Sequence, residues 1–265
     1  MNNFAAITPH PPIAVSGIGR GEIKKIPKTI QAFRALGEKF AVSQIETTVI
    51  ISPHGQSSFD AFNLGGSLAM SGDFENFGHG EISFSFSGDP KLARQIAGKA
   101  AQEKIPCRLI DYPSLDHGLL VPLYFLTSQQ EATTKLLPVF FSGLSLQQHF
   151  SFGQALGQVI KASDQKIALV ASGDLSHCLS PNAPGGFSSQ GKIFDETLIN
   201  LIQEKRWAEI VNLDSELIAG AGECGLRSII ILLGALAEIN KNFSLDIRSY
   251  EAPFGVGYLT AEAKF

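Results

Sequence analysis

Four of the six histidines share one local context, a turn containing Pro, Gly or Asp that adjoins an apolar segment. His10 lies in ITPHPP, His54 in VIISPHG and His177 in ALVASGDLSH, each after a strand-like run, whereas His117 opens a helical pattern in LDHG. Side chains at the carboxyl ends of neighbouring strands converge at one edge of an open α/β sheet. We therefore expect these histidines to face a common cavity.

The alternative for any single histidine is a structural, hydrogen-bonded role, and it is the repeated placement that favours a functional one. His79 and His149 lack this context. Both are interpreted as surface or loop residues.

A redox metal site also needs an anionic ligand, because two neutral imidazoles hold iron(II) weakly. The candidate is Glu223, which lies among small residues in GAGECG, just ahead of a strongly apolar helix. Two histidines and one carboxylate leave open positions on iron(II), an arrangement typical of non-heme oxygenases. The structural alternative is an acid that stabilises a helix start.

Strand-like apolar runs alternate with helical patterns along the whole chain, which predicts a three-layer α/β fold with a central, mostly parallel (mixed) sheet. The predicted strands are residues 4–7, 48–52, 107–110, 136–141, 167–172 and 245–249. The predicted helices are residues 29–40, 90–104, 146–161, 191–204 and 225–239. No repeat or linker interrupts the pattern, so residues 1–265 are expected to form a single domain.

The composition limits the partners and the compartment. With 21 basic and 25 acidic residues the formal charge is −4, and no basic cluster predicts nucleic-acid binding. Neither a signal peptide nor a membrane-spanning segment is indicated. Three widely spaced cysteines favour neither disulfides nor a structural zinc site, and a reducing cytoplasm fits best.

The segments around His10, His54, His117, GDLSH and GECG, taken together and in order, resemble the class III extradiol dioxygenases. This catalytic-subunit family is typified by protocatechuate 4,5-dioxygenase and is related to the Memo-like proteins. The resemblance covers nearly the whole chain and implies an iron(II) centre that, with O2, opens a small catecholic ring beside the diol. It also implies a role in the breakdown of aromatic compounds, and either a homo-oligomer or a small accessory subunit.

The resemblance assigns a role to each residue of these segments. His10, His54 and Glu223 match the iron ligands; His177 matches an acid/base histidine, and His117 one that positions substrate or oxygen. Asp116 and Asp174 adjoin these histidines and are candidates to hydrogen-bond ring nitrogens or backbone. Asp174 is equally suited to capping the turn after its strand.

Cys224, directly after Glu223, leaves a second interpretation open. Memo-like relatives carry a cysteine in place of the carboxylate ligand, and a shift of one residue would present Cys224 to the metal. A thiolate favours copper or zinc over iron(II), which predicts a metal-binding protein without ring cleavage. A third possibility is a zinc-dependent hydrolase in which His177 is a general base. Glu223 is preferred, with Cys224 as an inert buried thiol.

Overall fold

A computed structural model describes residues 4–128 and 134–265, which form strands and helices in alternation. The strands are β1 (Phe4–Thr8), β2 (Thr47–Ser52), β3 (Phe62–Gly65), β4 (Ala69–Phe74), β5 (His79–Ser87), β6 (Cys107–Ile110), β7 (Lys135–Phe140), β8 (Ile167–Ser172), β9 (Ser244–Glu251) and β10 (Tyr258–Lys264). The helices are α1 (Pro27–Ser43), α2 (Pro90–Gln102), α3 (His117–Thr127), α4 (Leu146–Lys161), α5 (Ser189–Gln203), α6 (Trp207–Val211), α7 (Ser215–Ala221) and α8 (Leu226–Ile239).

Eight strands form one mixed sheet in the order β6-β3-β7-β2-β8-β1-β10-β9. The central strands β7, β2, β8 and β1 run parallel, whereas β10 pairs antiparallel with β1, and β3 pairs antiparallel with β7. The carboxyl ends of β1, β2 and β8 therefore lie at the same edge of the sheet. The segments that carry His10, His54 and His177 all leave the sheet at this edge.

Alternating side chains of the central strands pack into two cores, one on each face of the sheet. In β2, Val49 and Ile51 pack in the same core as side chains of α2, α4, α5 and α8, whereas Ile50 packs in the core of α1 and α3. Burial on both faces explains why these strands are continuous apolar runs. The predicted three-layer α/β fold is confirmed.

The sequence pattern did not predict β3, β10, α6 and α7, and two further features depart from expectation. β4 and β5 form a separate antiparallel hairpin that the sequence pattern did not predict, because most of their side chains are exposed or only partly buried. The interpretation of His149 as a surface or loop residue is wrong. This side chain is fully buried in α4, where Nε2 accepts the Ser142 N–H at 3.3 Å and the ring packs against Phe62.

In the ranges 4–128 and 134–265, no helix has the length and apolarity needed to cross a membrane.

Candidate metal centre

Three imidazoles converge at the carboxyl edge of the sheet. Within the described ranges, His10, His54 and His117 form a group whose candidate ligand atoms all lie within 4.8 Å of one another. The Nε2 atoms of His10 and His54 are 3.2 Å apart. Two nitrogens that bind a common metal ion at about 2.0–2.1 Å lie roughly this far apart. The group therefore fits a divalent metal ion.

Ser172, the last residue of β8, sets the orientation of the His10 ring. Its hydroxyl donates to the Gly118 carbonyl, so its oxygen is free to accept Nδ1–H of His10 at 3.0 Å. This hydrogen bond leaves the lone pair on Nε2, which faces His54. Such a partner for the second ring nitrogen is what fixes the tautomer of a metal-binding histidine.

The start of α3 positions His117. Asp116 is the N-cap residue: its Oδ1 accepts the Gly118 N–H at 2.7 Å, and its Oδ2 accepts the Tyr112 hydroxyl at 2.5 Å. A Cβ at Gly118 would lie 2.7 Å from Ser52 Oγ and 2.8 Å from the His54 ring. Only glycine permits this close approach, which brings the rings of His54 and His117 to a centroid distance of 4.4 Å.

Burial favours the neutral form of these histidines. Desolvation lowers the pKa of His10 well below its usual value, and the neighbouring imidazoles lower it further. Desolvation also lowers the pKa of His54, His117 and His177, although Asp116 partly offsets it for the first two. Neutral imidazoles can ligate a metal without first losing a proton.

Cys224 and His177 lie beside this group. The Cys224 sulfur is 3.7 Å from His10 Nε2 and 3.7 Å from His177 Nε2. The same sulfur accepts the backbone N–H of Asp174 at 3.2 Å. Burial raises the pKa of the Cys224 thiol well above its usual value, and the charge of Asp174 raises it further. The thiol that the sequence left as an alternative therefore faces the histidines.

The structure places Glu223 differently from the sequence expectation. Glu223 does not belong to the converging group of the described residues. Its Oε2 accepts the Leu226 N–H at 2.6 Å at the start of α8, and its Oε1 lies 3.7 Å from the Arg227 guanidinium. Together with Gly222 and Arg227 it lines a cavity of about 570 Å³, to which none of the four histidines contributes. The turn before α8 thus directs the adjacent side chains of Glu223 and Cys224 to different surroundings. Glu223 is hydrogen-bonded to the backbone at the start of the helix.

Asp174 joins the segments that follow β1 and β8. Its Oδ1 accepts the backbone N–H of His10 at 2.9 Å, and its carbonyl accepts the Gly225 N–H at 2.9 Å. Burial raises the pKa of this carboxyl group to about 7. Asp174 thus supports the site by accepting a backbone N–H, as Asp116 does. The hydrogen bonds of these two carboxylates are to backbone N–H groups and to the Tyr112 hydroxyl, and not to a histidine ring nitrogen.

Sequence reasoning missed two residues near this site. Ser172 had no distinguishing signal beyond its position at the end of a buried strand. Phe77, at the tip of the unpredicted β4–β5 hairpin, places its ring centroid 5.6 Å from that of His117. Because the strands of this hairpin are mostly exposed, the sequence contains no pattern from which the contact between Phe77 and the histidines could be predicted.

Comparison with known proteins identifies the class to which this fold and its convergent histidines belong. The chain belongs to the LigB family, described as the catalytic LigB subunit of aromatic ring-opening dioxygenase, which matches residues 4–261. The resemblance noted from the sequence is thus confirmed. The crystal structure of the uncharacterized protein JW3007 from Escherichia coli K12 has a similar fold, with a TM-score of 0.70 at 16% identity, covering 98% of this chain and 99% of that one.

Curated relatives include proteins named as dioxygenases. The chain is 33% identical to Protein CA_C1420 of Clostridium acetobutylicum over 97% of its own length and 56% of that protein. It is 24% identical to 3,4-dihydroxyphenylacetate 2,3-dioxygenase of Escherichia coli over 59% of this chain and 60% of the enzyme. A 2,3-dihydroxyphenylpropionate/2,3-dihydroxicinnamic acid 1,2-dioxygenase of Rhodococcus globerulus is 26% identical over 44% of this chain and 37% of the enzyme. The chain thus spans no more than about three fifths of these relatives.

Proposed function

We propose that residues 1–265 form one catalytic domain that opens a catecholic ring with O2 at a metal, in the manner of extradiol dioxygenases. The observation that carries the proposal is the convergence of His10, His54 and His117 in a LigB-family fold. Three neutral imidazoles leave the charge of a divalent ion uncompensated. A doubly deprotonated catechol would supply the missing negative charge, so this set of ligands favours a diol substrate.

Iron(II) is the metal proposed, because ring opening needs an ion that activates O2 beside the bound diol. The three histidines differ from the two-histidine, one-carboxylate set expected from the sequence. In this proposal His117 replaces Glu223 as the third ligand, and Glu223 stabilises the start of α8.

His177 is proposed as the acid/base group. Its Nε2 lies 3.7 Å from Cys224 Sγ, beside the three imidazoles, and burial keeps its pKa below the usual value. A neutral imidazole can take the proton that a catechol hydroxyl loses on binding and return it to the product.

A second function is favoured by one observation, the position of the Cys224 sulfur 3.7 Å from His10 Nε2. A thiolate together with imidazoles suits copper or zinc better than iron(II). In that case the chain would bind metal without cleaving rings.

Anaerobic reconstitution separates the two functions. The protein would be loaded with iron(II), zinc or copper, its metal content measured after dialysis, and O2 uptake followed with a panel of catechols. Ring opening at iron(II) predicts a yellow product, loss of metal in His117→Ala, and retention of metal without turnover in His177→Ala. Glu223→Gln is the matched carboxylate control and should retain the metal.

One result would contradict ring cleavage, and another would contradict only the assignment of His117 as a ligand. One is tight zinc or copper binding that Cys224→Ser abolishes, with no O2 uptake on any catechol. The other is full metal retention in His117→Ala together with loss of metal in Glu223→Gln, which would restore Glu223 as the ligand.

A further inference from the structure

The tip of the β4–β5 hairpin brings a phenylalanine to the histidine group. The Phe77 ring meets the His117 ring edge-on, with centroids 5.6 Å apart and an interplanar angle of 69°. Phe77 is 39% exposed, so part of its ring remains uncovered. Behind it lies the fully buried Phe74, at a centroid distance of 6.3 Å. Phe77 therefore offers a supported but uncovered aromatic surface beside the site.

The hairpin is attached to the segment that carries His117. Ser71 in β4 donates its N–H to the Pro113 carbonyl and accepts the Leu115 N–H, both at 2.8 Å. A Cβ at Gly72 would lie 2.6 Å from the Leu115 carbonyl oxygen, so the two backbones pack without a gap. The distance between Phe77 and His117 is therefore set by main-chain contacts.

A second loop contacts the hairpin tip from the side of His10. Gly17, in the loop after β1, has a positive φ of 94°, and a Cβ there would lie 3.2 Å from His79 Cε1. The imidazole of His79 is in turn held by Glu81, with Nδ1 and Oε1 2.7 Å apart. The loop that leaves His10 and the hairpin that carries Phe77 thus meet beside the site.

The charges around this site favour an uncharged substrate. Two acidic side chains contact the segments that carry these histidines: Asp116 Oδ1 accepts the Gly118 N–H at 2.7 Å, and Asp174 Oδ1 accepts the His10 N–H at 2.9 Å. The hairpin tip adds acidic side chains at residues 73, 75 and 81. Of the basic residues near the site in sequence, Arg227 lies 3.7 Å from Glu223 and Lys192 lies 3.6 Å from Glu196, whereas Arg20 is exposed in the loop after His10. A substrate carboxylate bound at the histidines would therefore have the carboxyl groups of Asp116 and Asp174 as neighbours.

We propose that Phe77 is a specificity-determining residue whose ring contacts the aromatic ring of an uncharged catechol bound beside His117. This inference rests on the proposed function, because it assumes a diol at the histidine group. It extends that function to substrate preference. Carboxylated catechols, after which two of the curated relatives are named, would not be the preferred substrates.

The test measures binding rather than turnover. Metal-loaded protein would be titrated anaerobically with 4-methylcatechol and with 3,4-dihydroxyphenylacetate, for wild type and Phe77→Ala. Loss of the aromatic contact and of the area it covers should weaken 4-methylcatechol binding about five- to tenfold, which corresponds to about 1.0–1.4 kcal/mol. Wild type should bind the carboxylated diol more weakly than the uncharged one.

Phe84→Ala is the matched control. Phe84 lies in the same hairpin but packs on Phe74, Phe86 and Tyr124 instead of on His117. This variant should bind 4-methylcatechol like wild type, provided that metal content and thermal midpoint show both variants to be folded and loaded. Equal weakening in both variants would mean that the hairpin acts only as a structural support, which contradicts the proposal.

Other outcomes would also overturn the inference. They are binding by Phe77→Ala within twofold of wild type, no binding of either diol to the metal-loaded protein, and tighter binding of the carboxylated diol. Arg20→Ala is included because Arg20 is an exposed cation in the loop after His10. Loss of carboxylated-diol binding in that variant would identify an anion site that the proposal denies. Phe77-dependent binding without O2 uptake would contradict ring cleavage alone and leave the inference standing.

Discussion

The ring of His10 can act as a ligand because a single serine determines which of its nitrogens carries the proton. The Ser172 hydroxyl donates to the Gly118 carbonyl and accepts from His10 Nδ1. Without that acceptor, His10 loses the partner that keeps its Nε2 lone pair directed at His54. Ser172 is thus a residue whose effect on the metal is indirect.

Ser172→Ala should lower metal affinity about 10–100-fold without removing a ligand, as is typical when the partner of a metal-binding histidine is lost. Isothermal calorimetry with zinc or anaerobic iron(II) measures the change. Ser249→Ala is the control, because Ser249 is also buried but its hydroxyl has no hydrogen-bond partner among residues 4–128 and 134–265. Equal affinities for Ser172→Ala and wild type would show that Ser172 does not orient the ring.

At the scale of elements, α5 holds the loop that presents His177. The buried carboxylate of Asp195 accepts the Ser176 N–H at 2.9 Å and the Tyr250 hydroxyl at 2.6 Å. The Ser176 hydroxyl and the His177 N–H both donate to the Ala221 carbonyl. Through these contacts α5, β9 and the end of α7 are connected to His177, the proposed acid/base residue. Burial raises the pKa of Asp195 to about 6, so the carboxylate is ionised at neutral pH at a cost in stability.

Asp195→Ala should lower the free energy of unfolding by about 2–3 kcal/mol, because it leaves a buried N–H and a half-buried hydroxyl unpaired. Tyr250→Phe removes one donor together with its need for a partner, and should cost about 1 kcal/mol. Urea denaturation at pH 7.5 measures both. If Tyr250→Phe were as destabilising as Asp195→Ala, the bond to Ser176 would contribute nothing.

For the molecule as a whole, the buried histidines make stability depend on pH. Desolvation lowers the pKa of His149 to about 4, and those of the four site histidines are lowered as well. The unfolded chain binds protons on these rings near pH 6.5, but the folded chain does so only at lower pH. This stability is therefore complete above about pH 6.5 and is lost as pH falls through the lowered values. The raised pKa values of Asp195 and Asp174 have the opposite effect, because their contribution lowers the free energy of unfolding as pH rises.

His149→Gln should flatten this dependence. Between pH 6.5 and 5, the metal-free variant should lose about 1–2 kcal/mol less stability than wild type, because one fewer buried imidazole distinguishes the folded from the unfolded state. Urea midpoints at a series of pH values, with His79→Gln as the control, measure the difference. Parallel curves for wild type and His149→Gln would show that His149 does not contribute to the pH dependence.

The amino-acid pattern predicted most of the sheet and helices because their apolar periodicity follows directly from burial. β8 and α4 have the predicted bounds, and β1, β2 and α8 differ from them by one residue. The β4–β5 hairpin was not predicted, because its packing on the segment before α3 depends on residues distant in sequence. Phe77 was missed with it.

The sequence by itself determined the fold class, the family and the histidine segments at the strand ends, because buried strands and the turns that follow them are local features. The tertiary structure alone decided which side chains meet. His117 joins His10 and His54 because Gly118 lets α3 approach His54 closely. Glu223 and Cys224 are adjacent in the chain, and only the path of the turn before α8 directs the sulfur towards the histidines and the carboxylate towards the helix. The sequence does not show which of these two side chains points towards the histidines, because both have the same neighbours along the chain.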